Sequence, residues 1–293
     1  MKFKTKSIPN TNLWISEPNE LFRESFRVSN YLFSGKSEFQ AVDVVDTPGL
    51  GKVLLIDGLI MVSERDEFAY HDMITHVPLY THPNPKNVLV IGGGDGGTAR
   101  EVLRHSVVEK CVMVEIDEMV VDACKAHIQQ TASVFDNGKL ELRIEDAVKY
   151  VAETSEKFDV IIVDSTDPIG PAQPLFGIEF YENVHSCLTD NGVVVSQGES
   201  PWFNSDIQES LLKVVNGMFP VTTMYNFSNL TYPGGLWSFM YCSEGLFPPI
   251  DFNKDRFEKD ALKFNYYTED LHRACFALPA FMKDSLAEYL KTP

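Results

Sequence analysis

Asp95 stands inside a glycine cluster, Gly92-Gly-Gly-Asp-Gly-Gly97, that directly follows the apolar run Val88–Ile91. Gly92, Gly94 and Gly97 have the G-x-G-x-x-G spacing of a turn that lets the backbone approach a nucleotide closely. A carboxylate in such a turn repels a phosphate and attracts a positively charged nucleoside. More carboxylates follow other short apolar runs: Glu115 and Asp117 after Val112-Met-Val, Glu145 and Asp146 after residues 140–144, Asp164 and Asp167 after Val160–Val163. Glu115 lies 18 residues beyond Gly97, where an acidic side chain can accept from both hydroxyls of a ribose. An aspartate at 146 suits an adenine amino group, although Asp117 and Asp146 are equally well placed to cap the helices that follow them. Asp95, Asp164 and Asp167 are then surplus, and no Lys or Arg interrupts residues 92–97 or 164–173. Three surplus carboxylates beside a nucleoside point to a substrate carrying two or more positive charges.

These residues need a scaffold that collects them, and the hydrophobic pattern supplies one. Helical periodicity covers Phe68–Tyr80. Strand-like and helix-like segments then alternate: strand 88–91, helix 98–105, strand 111–116, helix 118–128, strand 140–144, helix 146–153, strand 158–163, helix 178–188, strand 192–197. Such alternation predicts parallel strands with crossover helices, a Rossmann-like doubly wound α/β sheet that binds ligands at the carboxyl ends of its strands. A helix over 205–218 and closing strands at Tyr225–Phe227 and Trp237–Cys242 complete it. Residues 1–57 read differently. Short β-prone runs punctuated by Pro48-Gly49 and Asp57-Gly58 predict a small N-terminal antiparallel β domain, followed by the catalytic domain over 58–293.

Composition narrows the partners. The 293 residues carry a net charge of −17, which disfavours nucleic acid as a partner. The apolar runs are too short to span a bilayer, and Met1–Lys6 is basic without an apolar stretch behind it, so neither a membrane association nor a signal peptide is expected. Five scattered cysteines without a CxxC pair fit buried thiols in a reducing cytoplasm. The seven histidines show no metal-ligand spacing such as HExxH.

Taken together, the motifs resemble the polyamine aminopropyltransferase family. The matching segments are Asp57-Gly58, Glu64-Arg-Asp-Glu-Phe-Ala-Tyr70-His71-Asp-Met73, His76-Val-Pro78 and Gly92–Gly97. They continue with Val114-Glu115-Ile-Asp117, Asp164-Ser-Thr-Asp167-Pro-Ile-Gly-Pro171, Thr231-Tyr232-Pro-Gly-Gly235 and the C-terminal His272–Pro279. The resemblance implies transfer of an aminopropyl group from decarboxylated S-adenosylmethionine to an amine, first of all putrescine to give spermidine, with methylthioadenosine as by-product. It implies a homodimer or homotetramer, small-molecule amines and a sulfonium nucleoside as the only ligands, and no metal or other cofactor. Carried onto this chain, Glu115 holds the ribose, Asp146 and Ala147 the adenine, Pro171 lines the adenine pocket, and Gln40 helps hold the sulfonium nucleoside. Asp95 faces the aminopropyl ammonium. Tyr70, His71, Asp164, Asp167 and Tyr232 surround the acceptor amine, with Ser165 and Thr166 completing the substrate-binding segment. Met61 departs from the glutamine common in the family and removes amide hydrogen bonds from the pocket.

The chemistry follows from the donor. A sulfonium leaves as a neutral thioether, so the acceptor is the difficult partner: an alkyl amine, with a pKa near about 10.4, is a cation at neutral pH. Asp164 is the expected base, with Tyr70 positioning the amine. A class I methyltransferase shares the nucleoside half of such a site, but the carboxylate of ordinary S-adenosylmethionine would meet Asp95. A polyamine-binding sensor needs Asp95 and Asp167 but no activating group between them. The segment Pro168–Phe176 is placed to cover the site.

Overall fold

The computed structural model describes residues 13–16 and 23–293; the basic stretch Met1–Lys6 lies outside them. Strands β1 (Trp14–Ser16) and β2 (Ser25–Arg27) form an antiparallel pair. Strands β3 (Asn30–Lys36), β4 (Ala41–Thr47), β5 (Gly51–Ile56) and β6 (Leu59–Ser63) form an antiparallel meander. The Asp57-Gly58 turn joins β5 to β6, so this sheet runs past residue 57, where the sequence pattern set the change of domain. β4 and β5 bury Val42, Val44, Leu54 and Ile56 against Val120, Ala123 and Cys124, which fastens the small sheet to the larger α/β half.

Helix α1 (Glu67–Thr81) leads into the second sheet. All but one of its residues are buried, and polar ones among them (Glu67, His71, Asp72, His76) must therefore find partners inside the protein. The chain then alternates through β7 (Asn87–Gly92), α2 (Gly97–Val102), β8 (Lys110–Glu115), α3 (Glu118–His127), α4 (Gln129–Ala132), β9 (Leu140–Ile144), α5 (Ala147–Glu153), β10 (Phe158–Asp164), α6 (Ile178–Ser186), β11 (Leu188–Gln197) and α7 (Ser205–Val215). It closes with β12 (Val221–Ser228) and β13 (Leu236–Ser243). The strand order is β12-β13-β11-β10-β7-β8-β9, with β7 to β11 parallel and β13 antiparallel to both neighbours. Side chains alternate between the two faces: Val88 and Val90 pack in one core, Leu89 and Ile91 in the other. Burial on both faces explains why these strands read as continuous apolar runs.

The order reverses between β7 and β10. Chain progress runs to one side through β8 and β9 and to the other through β11. That reversal opens a crevice at the carboxyl ends of the two strands, and the loops carrying Asp95 and Asp164 flank it.

Candidate active site

A cavity of about 540 Å³ occupies the crevice and is closed on one side by the small sheet. Five adjacent parallel strands deliver carboxylates to it in spatial order: Asp146 after β9, Glu115 at the end of β8, Asp95 after β7, Asp164 at the end of β10, Glu199 after β11. With neighbouring strands about 4.8 Å apart, the row extends over roughly 20 Å. Every residue expected from the sequence lines this cavity: Gln40, Tyr70, His71, Asp95, Glu115, Asp146, Ala147, Asp164, Ser165, Thr166, Asp167, Pro171 and Tyr232, and so does Met61.

The glycine turn is shaped by its neighbours. Gly92 has φ +79°, and a Cβ there would lie 2.3 Å from the Asp164 carbonyl oxygen, so only glycine permits this approach. The neighbouring Gly93 N–H donates to that same carbonyl at 2.9 Å. A Cβ on Gly97 would lie 2.2 Å from His71 Cε1. The third glycine of the motif thus makes room for an imidazole. Asp95 is anchored by the Gly97 N–H, which donates to Oδ1 at 2.8 Å, at the start of α2. Burial holds the Asp95 carboxyl above its ordinary range, and nearby His71 opposes that shift.

Asp164 is held from both sides. The Tyr70 hydroxyl donates to Oδ1 and the Thr98 hydroxyl to Oδ2, each at 2.6 Å. Burial, and then the Asp164 charge, keep the Tyr70 phenol protonated far above the ordinary range, so it acts as a donor. The Tyr232 phenol is held up in the same way and donates to the Met61 carbonyl at 2.7 Å. The loop carrying Tyr232 is tied to the start of α1, where Asp66 Oδ2 accepts from the N–H groups of Leu230 and Thr231 at 2.8 and 3.0 Å.

At the nucleoside end, burial pushes the Glu115 carboxyl up to about 7, against the Asp117 N–H that donates to it at 2.9 Å. Asp117 itself is engaged within the protein. It caps α3 by accepting from the Met119 N–H at 3.0 Å, and it accepts from Ser37 Oγ and Gln40 Nε2 at 2.7 and 3.1 Å. Between ligand contact and cap, Asp117 is therefore a cap. Gln40 has its amide nitrogen committed to that contact. Asp146 also caps its helix, accepting from the Val148 N–H at 2.8 Å, while lining the cavity.

The sequence analysis missed Gln197 and Glu199, which line the cavity beyond Asp164. Their side chains hold each other, Gln197 Nε2 donating to Glu199 Oε1 at 2.8 Å and the Glu199 N–H to Gln197 Oε1 at 2.5 Å. Glu199 has φ +64°, a strained conformation for a non-glycine residue. Burial and the Asp167 carboxyl hold Glu199 protonated well above its ordinary range. The signal was available: Ser196-Gln-Gly-Glu199 ends a strand that the periodicity identified, as the other carboxylates do. Thr98 was missed because a threonine inside a glycine-rich turn reads first as a helix start.

Fold and site together define a transferase of the methyltransferase-like α/β class, with an acidic cavity along its strand ends. The family profile described as "Spermine/spermidine synthase domain" matches residues 67–254, and that of the "Spermidine synthase tetramerisation domain" matches residues 13–64. The chain is 45% identical over 286 residues to the polyamine aminopropyltransferase of Methanocaldococcus jannaschii, covering 96% of this chain and 97% of the relative. It is 43% identical to that of Clostridium kluyveri, covering 93% and 98%. Among solved structures, a spermidine synthase in complex with the transition-state analogue AdoDATO superposes with a TM-score of 0.93 at 38% identity, covering 98% of this chain and 99% of that one. The spermidine synthase of Thermotoga maritima gives 0.92 at 38% identity, covering 98% of each chain. The chain belongs to the spermine/spermidine synthase family of polyamine aminopropyltransferases.

Proposed function

We propose that the protein transfers the aminopropyl group of decarboxylated S-adenosylmethionine to putrescine, releasing spermidine and methylthioadenosine. The observation that carries this reading is the row of carboxylates from Asp146 to Glu199 along five adjacent strand ends. Asp146 with Ala147 and Pro171 is assigned to the adenine, and Glu115 to the ribose. Gln40 is assigned to the nucleoside side, and Asp95 to the ammonium of the aminopropyl group. Asp164, steadied by Tyr70 and Thr98, receives the reacting amine with His71, Ser165, Thr166 and Tyr232 around it. Beyond it, Asp167, beside the protonated Glu199 carboxyl, offers a second subsite for a cation, which a diamine fills and a monoamine leaves empty.

In the transfer, the amine nitrogen attacks the propyl carbon next to sulfur. The C–N bond forms as the C–S bond breaks, the electron pair of that bond leaves with sulfur as a thioether, and the surplus proton on nitrogen passes to Asp164. Burial favours the neutral amine needed for attack, the neighbouring carboxylates oppose it, and Asp164, with two of its four acceptor positions unused, takes up the proton. The charge on the donor sulfur makes it a leaving group without further activation, so no metal or other cofactor is assigned. His71, Asp95 and Asp164 bring ligand atoms within 4.8 Å of one another; the reading gives the two carboxylates to ammonium groups, and chelator-treated protein should keep its activity.

The N-terminal strands β1 to β6 are assigned to oligomer formation as a dimer or tetramer, supported by the exposed Trp14 on β1 and Tyr31 on β3; light scattering at several concentrations checks it. A reducing, cytoplasmic setting is supported by five buried, unpaired cysteines. No helix among the described residues is long and apolar enough to cross a membrane.

The test is methylthioadenosine release from decarboxylated S-adenosylmethionine with putrescine, cadaverine, agmatine and spermidine in parallel. Release with putrescine far above the rest is expected. A different preferred amine would reassign the acceptor, and no release with any amine would overturn the reading.

A further inference from the structure

The proposed roles leave one buried ionic cluster beside the cavity unused. His71 is 2% exposed, and its Nδ1 lies 2.6 Å from Glu67 Oε2, one helical turn earlier on α1. Glu67 is itself saturated. The Arg100 guanidinium of α2 grips both its oxygens, at 2.8 and 3.0 Å, and Gln130 Nε2 donates to Oε1 at 2.7 Å. Four contacts on one carboxylate leave it no freedom to turn, and a two-pronged Arg–carboxylate pair fixes orientation as well as charge. On the other side of the imidazole, Nε2 lies 3.5 Å from Asp95 Oδ1. That oxygen already accepts from the Gly97 N–H. The Gly97 N–H and the imidazole Nε2 thus both lie on the Oδ1 side of the Asp95 carboxyl.

We propose that Glu67, clamped by Arg100, is a positioning residue: it holds His71 as an imidazolium whose Nε2–H faces Asp95, and so sets the orientation in which Asp95 meets the donor's ammonium. The assignment of the ammonium to Asp95 rests on the function proposed above; the state of His71 does not. The charged groups that face His71 are Glu67 on its own helix, Asp95 on the glycine turn, Arg100 on α2, and Asp164 at the end of β10. Burial alone would favour the neutral ring. Asp95 and Glu67 outweigh burial and Arg100 and hold the imidazole up, to about 9. Without the Glu67 charge, burial and the Arg100 charge both oppose the imidazolium, and a neutral ring has one N–H to serve both residue 67 and Asp95. Gly97 completes the arrangement, since any side chain there would displace the ring.

The first experiment is a pH titration of the His71 imidazole by NMR in ligand-free protein, with a His71→Gln variant to assign the signal. In wild-type protein the ring is expected to carry both protons at neutral pH, and in Glu67→Gln to lose one well below the wild-type midpoint. In the same variant KM for the donor should rise by about 10- to 100-fold, with KM for the amine nearly unchanged and circular dichroism like the wild type. A neutral His71 at pH 7 in wild-type protein overturns the proposal. So does an unshifted titration in a folded Glu67→Gln protein, or an unchanged donor KM. Should that variant not fold, the wild-type titration decides by itself. Because the titration needs neither substrate nor turnover, its failure is distinct from an absence of methylthioadenosine release.

Discussion

The Tyr70 hydroxyl and the Asp164 carboxylate, 94 residues apart in sequence, meet at 2.6 Å. Helix α1 brings the phenol from the start of the catalytic half, and β10 brings the carboxylate from the middle of the sheet. Thr98 holds the other oxygen at the same distance. With both oxygens gripped, the carboxylate has one orientation and still has acceptor sites for an incoming amine.

Replacing Asp164 by Asn should leave methylthioadenosine binding within a fewfold of wild type while lowering kcat by at least about a hundredfold, since a positioned base contributes on the order of 10²–10⁴-fold. Tyr70→Phe should cost less, about 10-fold, through the loss of one hydrogen bond to a charged group. Calorimetry with the nucleoside and product-release kinetics check both. Wild-type turnover in Asp164→Asn would remove it as the base.

Asp95→Asn should weaken discrimination between decarboxylated and ordinary S-adenosylmethionine. On the proposed assignment the extra carboxylate of the ordinary donor would lie beside the Asp95 carboxyl, a repulsion of like charges that the decarboxylated donor escapes. Binding competition between the two donors measures it, and an unchanged ratio would remove Asp95 as the discriminating group.

With the ribose assigned to Glu115 as proposed, nucleoside binding becomes pH-dependent. Its carboxyl is raised from 4.5 to about 7 by burial, so in the empty protein ionisation is disfavoured and costs stability as pH rises from 4.5 through 7. Two ribose hydroxyls donating to Glu115 favour the ionised form. Binding should therefore expel a proton at and below about pH 7, tighten as pH rises toward about 7, and level off above it. Calorimetry in two buffers of different ionisation heat should show proton release for the wild type and none from this group in Glu115→Gln.

Gly97→Ala should destabilise the protein by roughly 1–3 kcal/mol, the usual cost of overpacking a filled site, because its Cβ would lie 2.2 Å from the His71 ring. Gly138→Ala is the control, as nothing lies within 4 Å of a Cβ there. Thermal unfolding separates the two, and equal midpoints would show that the ring moves aside freely.

The doubly wound sheet was legible because strands buried on both faces write themselves as unbroken apolar runs, and helices between them carry a different period. The strands at 140–144 and 158–163 were placed within a residue of where they lie. The candidate residues were legible for a related reason. Ligands collect at the carboxyl ends of parallel strands, so a carboxylate just after an apolar run is already an address. Glu199 escaped only because the same rule was not carried one strand further. The C-terminal helices after β13 escaped because elements of four to seven residues hold too few turns to show a period.

Composition and pattern by themselves determined the fold class, the strand ends that carry acid, and the excess of negative charge that calls for a cationic ligand. Tertiary structure alone decided which carboxylate serves the cavity and which serves the protein. Asp117 turned to Ser37, Gln40 and the start of α3, whereas Asp164 stayed at the cavity between Tyr70 and Thr98. The physical reason is that a carboxylate's role is set by the donors around it, and those donors arrive from strands and helices far away in sequence, whose distance no local pattern encodes.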